Sequence, residues 1–239
     1  IMINSLSTKF LISLSFFLNI TILKSQKSDI WSDDNFIGLE FRSIGPALMS
    51  GRISDIAIHP EDENTWYVTV GSGNVWKTQN SGITWDPIFD DQASYSIGCV
   101  TIDPNNPEVV WIGTGEDQGG RHFGYGDGIY KSLDGGKNWT NMGLKNSERI
   151  SKILIHPKNS NIVWVAVQGP LWSSGGQRGL YKTVDGGKNW KLVLKDNKWT
   201  GATEIILDPS NNKVIYAALW QRHRTVAAYM GGGPGSGIY

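Results

Sequence analysis

Glu116 and Asp117 stand side by side in a glycine-rich stretch with Arg121 close behind. Two carboxyl groups near a guanidinium are a candidate set for general acid–base chemistry. His122 and Tyr125 lie in the same stretch. Gln168, Trp172 and Arg178 form a second group of chemically capable residues, and Gln221, Arg222, His223 and Arg224 a third. Arg52, Asp91, Tyr95, Glu148, Arg149 and Trp199 add to them. Guanidinium groups, amides and aromatic rings together suit a polar ligand that is gripped at its edges and stacked on its faces. From these residues the ligand contacts expected are Arg52, Arg121, His122, Gln168, Trp172, Arg178, Gln221, Arg222 and Arg224. Other chemistries have less support. His59 and His156 precede prolines at turns where equivalent segments carry Asp103 and Asp208, and four histidines without ligand spacing make no metal site. Gly231–Gly237 is followed by a strand-like segment, so it offers no helix N-terminus to cradle a phosphate. No metal and no cofactor is expected.

The elements that position these residues are set by a repeat. Ser132–Trp139 reads Ser-Leu-Asp-Gly-Gly-Lys-Asn-Trp, Thr183–Trp190 reads Thr-Val-Asp-Gly-Gly-Lys-Asn-Trp, and Thr78–Trp85 is a looser copy. Recurrence at a period near fifty marks a repeat architecture. Each octapeptide closes a longer unit. The units open at Ile53, Ile97, Ile150 and Thr203 with alternating apolar residues that stop at a proline. A second β-rich run follows in each (65–70, 109–113, 162–167 and 214–219), then a third (74–78, 128–132, 179–183 and 237–239). A short fourth strand begins at Trp85, Trp139 or Trp190. Four antiparallel strands repeated about an axis make an all-β fold, the β-propeller, with units at about 47–96, 97–149, 150–201 and 202–239. The last unit stops in its third strand, giving about three and a half blades, and the whole ring is expected to hold seven or more.

Strand order then says which residues share a face. Loops joining strands one to two and three to four lie at one end of a blade, and the octapeptides mark that end. Loops joining strands two to three, and one blade to the next, lie at the other end, and all the polar candidates fall there. Within the octapeptides Asn80, Asp134 and Asp185 are expected to accept backbone N–H bonds. Gly82, Gly136 and Gly187 supply a conformation that Cβ resists, and Trp85, Trp139 and Trp190 cover the hairpin's apolar side.

Bulk properties narrow the function classes. The chain has 239 residues, 39% of them hydrophobic, with 29 Gly and 11 Trp, which suits many short strands and tight turns. Its 22 basic and 22 acidic residues cancel, so no global field draws it to nucleic acid or an anionic membrane. Cys99 is the one cysteine; it rules out an internal disulfide and reads as a small buried hydrophobe. Residues 1–25, with Lys9 before the apolar run Phe10–Leu23, read as an export signal, which implies a secreted or periplasmic protein with no membrane contact beyond that signal. Residues 26–35 read as a linker, and Phe36–Ile44 as one more strand.

The pattern Ser/Thr-x-Asp/Asn-x-Gly-x-x-Trp resembles the Asp box, also called the bacterial neuraminidase repeat. That resemblance implies a structural turn lying away from the active site. From Phe41-Arg42-Ser43-Ile44-Gly45-Pro46 onward the chain resembles bacterial secreted proteins labelled glycosyl hydrolase-like or sortilin N-terminal-like. Met49-Ser50-Gly51-Arg52-Ile53, Gly113-Thr114-Gly115-Glu116, Gln168-Gly169-Pro170-Leu171-Trp172 and Trp220-Gln221-Arg222 carry it. Xyloglucan-hydrolysing glycosidases share the Asp box and place a catalytic Asp in the first blade before a segment similar to Gly73-Asn74-Val75-Trp76-Lys77; that place falls here at Gly71. Sialidases bring an arginine cluster and an early Phe/Tyr-Arg-x-Pro that Phe41–Pro46 only approximates. The resemblance thus implies a propeller fold, and the polar face opposite the octapeptides is expected to bind a glycan or a polypeptide. Glycoside hydrolysis and a scaffolding role in a surface assembly stay open beside it.

Overall fold

The structure, a computed structural model, describes residues 51–239. The expected signal, linker and first strand lie outside the described residues. Sixteen strands form four antiparallel four-stranded sheets. The first holds β1 (Ile53–His59), β2 (Asp62–Val70), β3 (Asn74–Thr78) and β4 (Asp86–Pro87). The second holds β5 (Ile97–Ile102), β6 (Val110–Thr114), β7 (Ile129–Ser132) and β8 (Thr140–Asn141). The third holds β9 (Ile150–His156), β10 (Asn159–Val167), β11 (Gly179–Thr183) and β12 (Lys191–Leu194). The fourth holds β13 (Thr200–Leu207), β14 (Ile215–Arg224), β15 (Tyr229–Gly231) and β16 (Gly237–Ile238). β5 packs beside β1, β9 beside β5 and β13 beside β9, so the first strands line up as blades do around an axis. Among the described residues no helix is long and apolar enough to cross a membrane.

The cores lie between sheets, and this explains the sequence pattern of each second strand. Side chains alternate across a strand, so a strand covered on one face alternates apolar and polar. β10 is covered on both. Val163, Val165 and Val167 pack with Trp111 and Ile129 of the second sheet, while Trp164 and Ala166 pack with Ala202 and Ile205 of the fourth. β6 divides in the same way, with Val110 and Ile112 toward the first sheet and Trp111 toward the third. Burial of such a side chain contributes roughly 1.5–3 kcal/mol. Cys99 is one of these core residues, and burial pushes its thiol up.

The three octapeptides fold alike. The Ser132 hydroxyl accepts from the Gly136 N–H at 2.8 Å and donates to Asp134 Oδ1 at 2.8 Å, and Asp134 Oδ1 accepts from the Asn138 N–H at 2.9 Å. Thr183 and Asp185 repeat this set, as do Thr78 and Asn80. Gly82, Gly136 and Gly187 have φ of 87°, 91° and 97°, the left-handed region a Cβ disfavours. One detail differs from expectation. Trp139 and Trp190 do not stop at their own hairpins: each donates its indole N–H to the preceding blade, to Ile88 O at 2.7 Å and Met142 O at 2.8 Å. Trp85 donates within its own turn, to Gly82 O at 3.0 Å. Two lysines complete the latch, because Lys77 and Lys131 reach the carbonyls of Gly135 and Gly186 in the next blade.

The fourth sheet departs from the sequence expectation. Gly237–Ile238 is its third blade strand, paired with Ala218 and Leu219 as the repeat requires. Gln221–Arg224, however, is not a loop. β14 runs straight through it and pairs with β15 at Arg222↔Gly231, His223↔Met230 and Arg224↔Tyr229. The alternating cationic residues hide the strand in the sequence, and it is long-range contacts to Arg222 and Arg224 that hold it extended.

Candidate functional site

The face opposite the octapeptides is built around residues 115–126 of the long connection between β6 and β7. Its start is fixed by backbone strain. Gly115 has φ of 86°, and a Cβ there would lie 1.8 Å from Glu148 O. Glu148 itself has φ of 53°, rare for a residue with a side chain, and accepts from the Gly126 N–H at 2.8 Å. The end of the insertion is therefore tied to the junction just before β9, and its start lies against that junction while bonding Ser96 O.

From this anchored base the insertion spreads over arginines supplied by other blades. Glu116, 2% exposed, takes a bidentate ion pair from Arg52, with Nε–Oε1 at 2.5 Å and Nη2–Oε2 at 2.6 Å. That hydrogen bond is the main cause of a raised Arg52 pKa. The Phe123 ring lies 4.6 Å from the same guanidinium. The Glu116 carboxylate also fills the space beside Gly71, where an added Cβ would meet its carbon at 2.5 Å. The place expected for a first-blade carboxylate is thus taken by one arriving from the second blade.

Toward the fourth sheet, Arg222 Nη1 donates to the carbonyls of Asp117 at 3.1 Å and Gln118 at 3.4 Å. Arg224 Nε donates to Gly119 O at 2.8 Å, and Arg121 Nη2 returns to Val226 O at 2.9 Å. Insertion and β14–β15 hairpin hold each other through these bonds. Asp117 is pulled up by burial, which its hydrogen bond with Gln118 and the charge of Arg222 partly offset. Burial lowers Arg222 to about 9, and the like charge of Arg149 adds to the fall.

Arg149 is the residue the sequence placed on this rim without marking it as a contact. It is fully buried. Its Nη1 pairs with Glu148 Oε2 at 3.1 Å and the Tyr125 ring sits 5.1 Å away, but Nε and Nη2 have no hydrogen-bond partner. Burial lowers its pKa, partly offset by Glu148 and Tyr125. The available signal was positional: Arg149 precedes β9 as Arg52 precedes β1.

The remaining candidates fall into different roles. Arg178 is buried and spent on backbone carbonyls, those of Gly175, Gln168, Trp199, Pro170 and Ser173, so it clamps the 168–175 loop and presents no free donor. Burial lowers it to about 10. Gln168 is buried against Gly201, and its Oε1 has no partner. Gln221 Oε1 braces the glycine-rich turn by accepting from the Gly235 N–H at 3.0 Å. His122 is exposed beside Phe123, and Trp172 is half-buried. Tyr95, Tyr125 and Tyr229 expose aromatic surface, and Trp199 stacks on His223 with centroids 4.0 Å apart. Among the described residues no group of three or more His, Cys, Asp or Glu could hold a metal ion.

With this geometry the chain can be compared with known proteins. No protein-family model matches it. A probable oligoxyloglucan-reducing end-specific xyloglucanase of Neosartorya fischeri is 23% identical over 197 residues, 74% of this chain and 22% of that protein. Xyloglucanase Xgh74A of Acetivibrio thermocellus is 26% identical over 187 residues, 69% of this chain and 20% of that protein. Among solved structures, an ancestral GH74 enzyme superposes with a TM-score of 0.55 at 20% identity, over 71% of this chain and 22% of that one. The chain therefore spans about a fifth of the length of the curated relatives it matches. Fold and comparisons together define a stretch of β-propeller related to the xyloglucanases.

Proposed function

We propose that this chain is part of an exported propeller that binds a glycan on the face opposite its octapeptides. The observation that carries the reading is the insertion at 115–126, which gathers Arg52 from before β1, Arg149 from before β9 and Arg222 from β14 near exposed tyrosines. Aromatic faces and fixed polar donors at the mouth of a repeat architecture are what sugar rings require of a site. The xyloglucanase similarity supports a saccharide over a polypeptide. The octapeptides, which we read as Asp boxes, serve the opposite face as structural turns.

Binding is favoured over cleavage by the state of Glu116. Glycoside hydrolysis commonly uses two carboxyl groups flanking the bond. Glu116 is buried and has both oxygens occupied by Arg52, so it presents no open edge to a substrate. Hydrolysis is the second reading, supported by Asp117, whose carboxyl is pulled toward the protonated form by burial. Full-length protein offered a panel of polysaccharides and peptides should bind a glycan, and Tyr125→Ala should weaken that binding about tenfold. A panel with no glycan bound would remove the reading. Release of reducing sugar that disappears in Asp117→Asn would move the conclusion to hydrolysis.

A further inference from the structure

We propose that two copies of this chain close into one ring, the first sheet of each copy packing on the fourth sheet of the other. Among the described residues the first sheet has one face left open. Its strand β1 carries Ile53, Ile56 and Ile58, each more than half exposed. The equivalent residues are Ile97, Val100 and Ile102 in β5 and Ile150, Ile153 and Ile155 in β9. Those residues form the cores between the second sheet and the first and between the third and the second. Ile53 is 67% exposed where Ile97 and Ile150 are 0%. The strand register bears out the equivalence, because Ile56↔Val68 and Ile58↔Trp66 repeat Val100↔Ile112 and Ile102↔Val110. Ala57 and Tyr67, the pair between them, belong to the core shared with the second sheet, so the three isoleucines face the other way. β1 thus presents the surface that β5 and β9 bury against the preceding sheet.

The fourth sheet presents the matching half. Ile206 and Ile238 are more than half exposed and Tyr216 nearly so. In the third sheet the same places are held by Leu154, Leu180 and Trp164, which pack with Ala202, Ile205, Ala217 and Leu219 of the fourth. The pairs again coincide: Ile206↔Tyr216 and Ala218↔Ile238 repeat Leu154↔Trp164 and Ala166↔Leu180. One chain therefore carries both halves of its own sheet-to-sheet contact, and their exposure shows that the two halves do not meet within one copy. Open apolar faces of this kind mark association, and a head-to-tail contact between copies either closes a ring or grows without end. Two copies of four sheets give eight, within the range of about four to eight blades that propellers adopt, so the second copy supplies both the right surface and a closing number. Such a ring also turns both 115–126 insertions to the same rim.

The test is sedimentation equilibrium of the full chain over a wide range of concentrations. A reversible equilibrium between one copy and two is expected, with no larger species. Ile56→Lys and Ile206→Glu alter opposite halves at exposed positions. Each should weaken the dimer about tenfold or more and leave the thermal midpoint of the dilute protein unchanged. Mixed together, the two variants should pair with each other, because one contact of the mixed ring is native and the other sets Lys against Glu. A contact of first sheet on first sheet would instead leave Ile206→Glu fully dimeric. Ile58→Lys repeats the first substitution at a second exposed position and keeps the test open where Ile56→Lys folds poorly. A single copy at every concentration, a dimer that survives both substitutions, a mixture that stays dissociated, or assemblies that grow beyond two copies each overturn the proposal.

Discussion

The octapeptide end and the arginine end of these blades solve opposite problems. In the turns the hydroxyl, carboxylate and amide side chains are answered within five residues: the Ser132 hydroxyl, the Asp134 carboxylate and the Asn138 amide close on one another, and the same set recurs in Thr183–Trp190, while the Trp indoles and two glycine carbonyls reach the neighbouring blade. At the rim the partners come from other blades, as with Arg52 and Glu116, 64 residues apart, and Arg222 with the Asp117 carbonyl, 105 apart. The turns leave nothing over, whereas the rim leaves buried N–H groups on Arg149 and Arg222 unpaired. Local closure suits a part that must be identical in each blade. Unfinished long-range bonding is what a ligand can complete.

Substitutions that strike one end and spare the other sharpen this contrast. The largest effect is expected from Gly115→Ala, which forces a Cβ into Glu148 O at a φ of 86°. It should lower stability by roughly 3 kcal/mol or more in urea unfolding, and a smaller loss than Gly136→Ala would break the ranking. Glu116→Gln replaces a bidentate ion pair by a neutral contact. With Arg52 38% exposed and partly screened, about 1–2 kcal/mol is expected in the same measurement. Trp139→Phe removes the indole bond to Ile88 O and should cost about 1 kcal/mol, whereas Trp85→Phe loses only a bond within its own turn and should cost less.

The smallest effect concerns pH. Asp134 is held down to about 2, first by the Asn138 side chain and then by its backbone N–H. Its folded value lies below the ordinary 3.8, so the turn's contribution is fully present above that value and is lost as pH falls through about 2. Asp134→Asn should leave stability at pH 7 nearly unchanged, because Asn80 already makes the equivalent contacts in the first blade. It should also flatten the acid limb of the stability–pH curve. An unaltered acid limb would show that the carboxylate charge plays no part.

How far each end could be read from sequence follows from the same contrast. Ser, Asp, Gly and Trp at fixed spacing announce a turn because the contacts are made inside the spacing. β10 announces itself because a strand buried on both faces must be continuously apolar. Gln221–Arg224 reads as a loop because a strand whose cations contact another blade's carbonyls carries no apolar–polar alternation to recognise. Glu116 and Asp117 were visible as adjacent carboxyls, but their separate fates were not. One is locked by Arg52 and the other is raised by burial, and each fate is imposed from outside the segment.

By itself, then, the sequence determined the repeat, the phase of its strands, the turns and the face on which polar residues gather. All of these rest on contacts within a few residues or on the period-two exposure of a strand. Only the tertiary structure decided that Arg178 is a clamp, that Glu116 fills the space beside Gly71, and that Arg149 and Arg222 are each buried with N–H groups unpaired. Those outcomes depend on which blades meet, and no spacing along the chain encodes the distance across the axis.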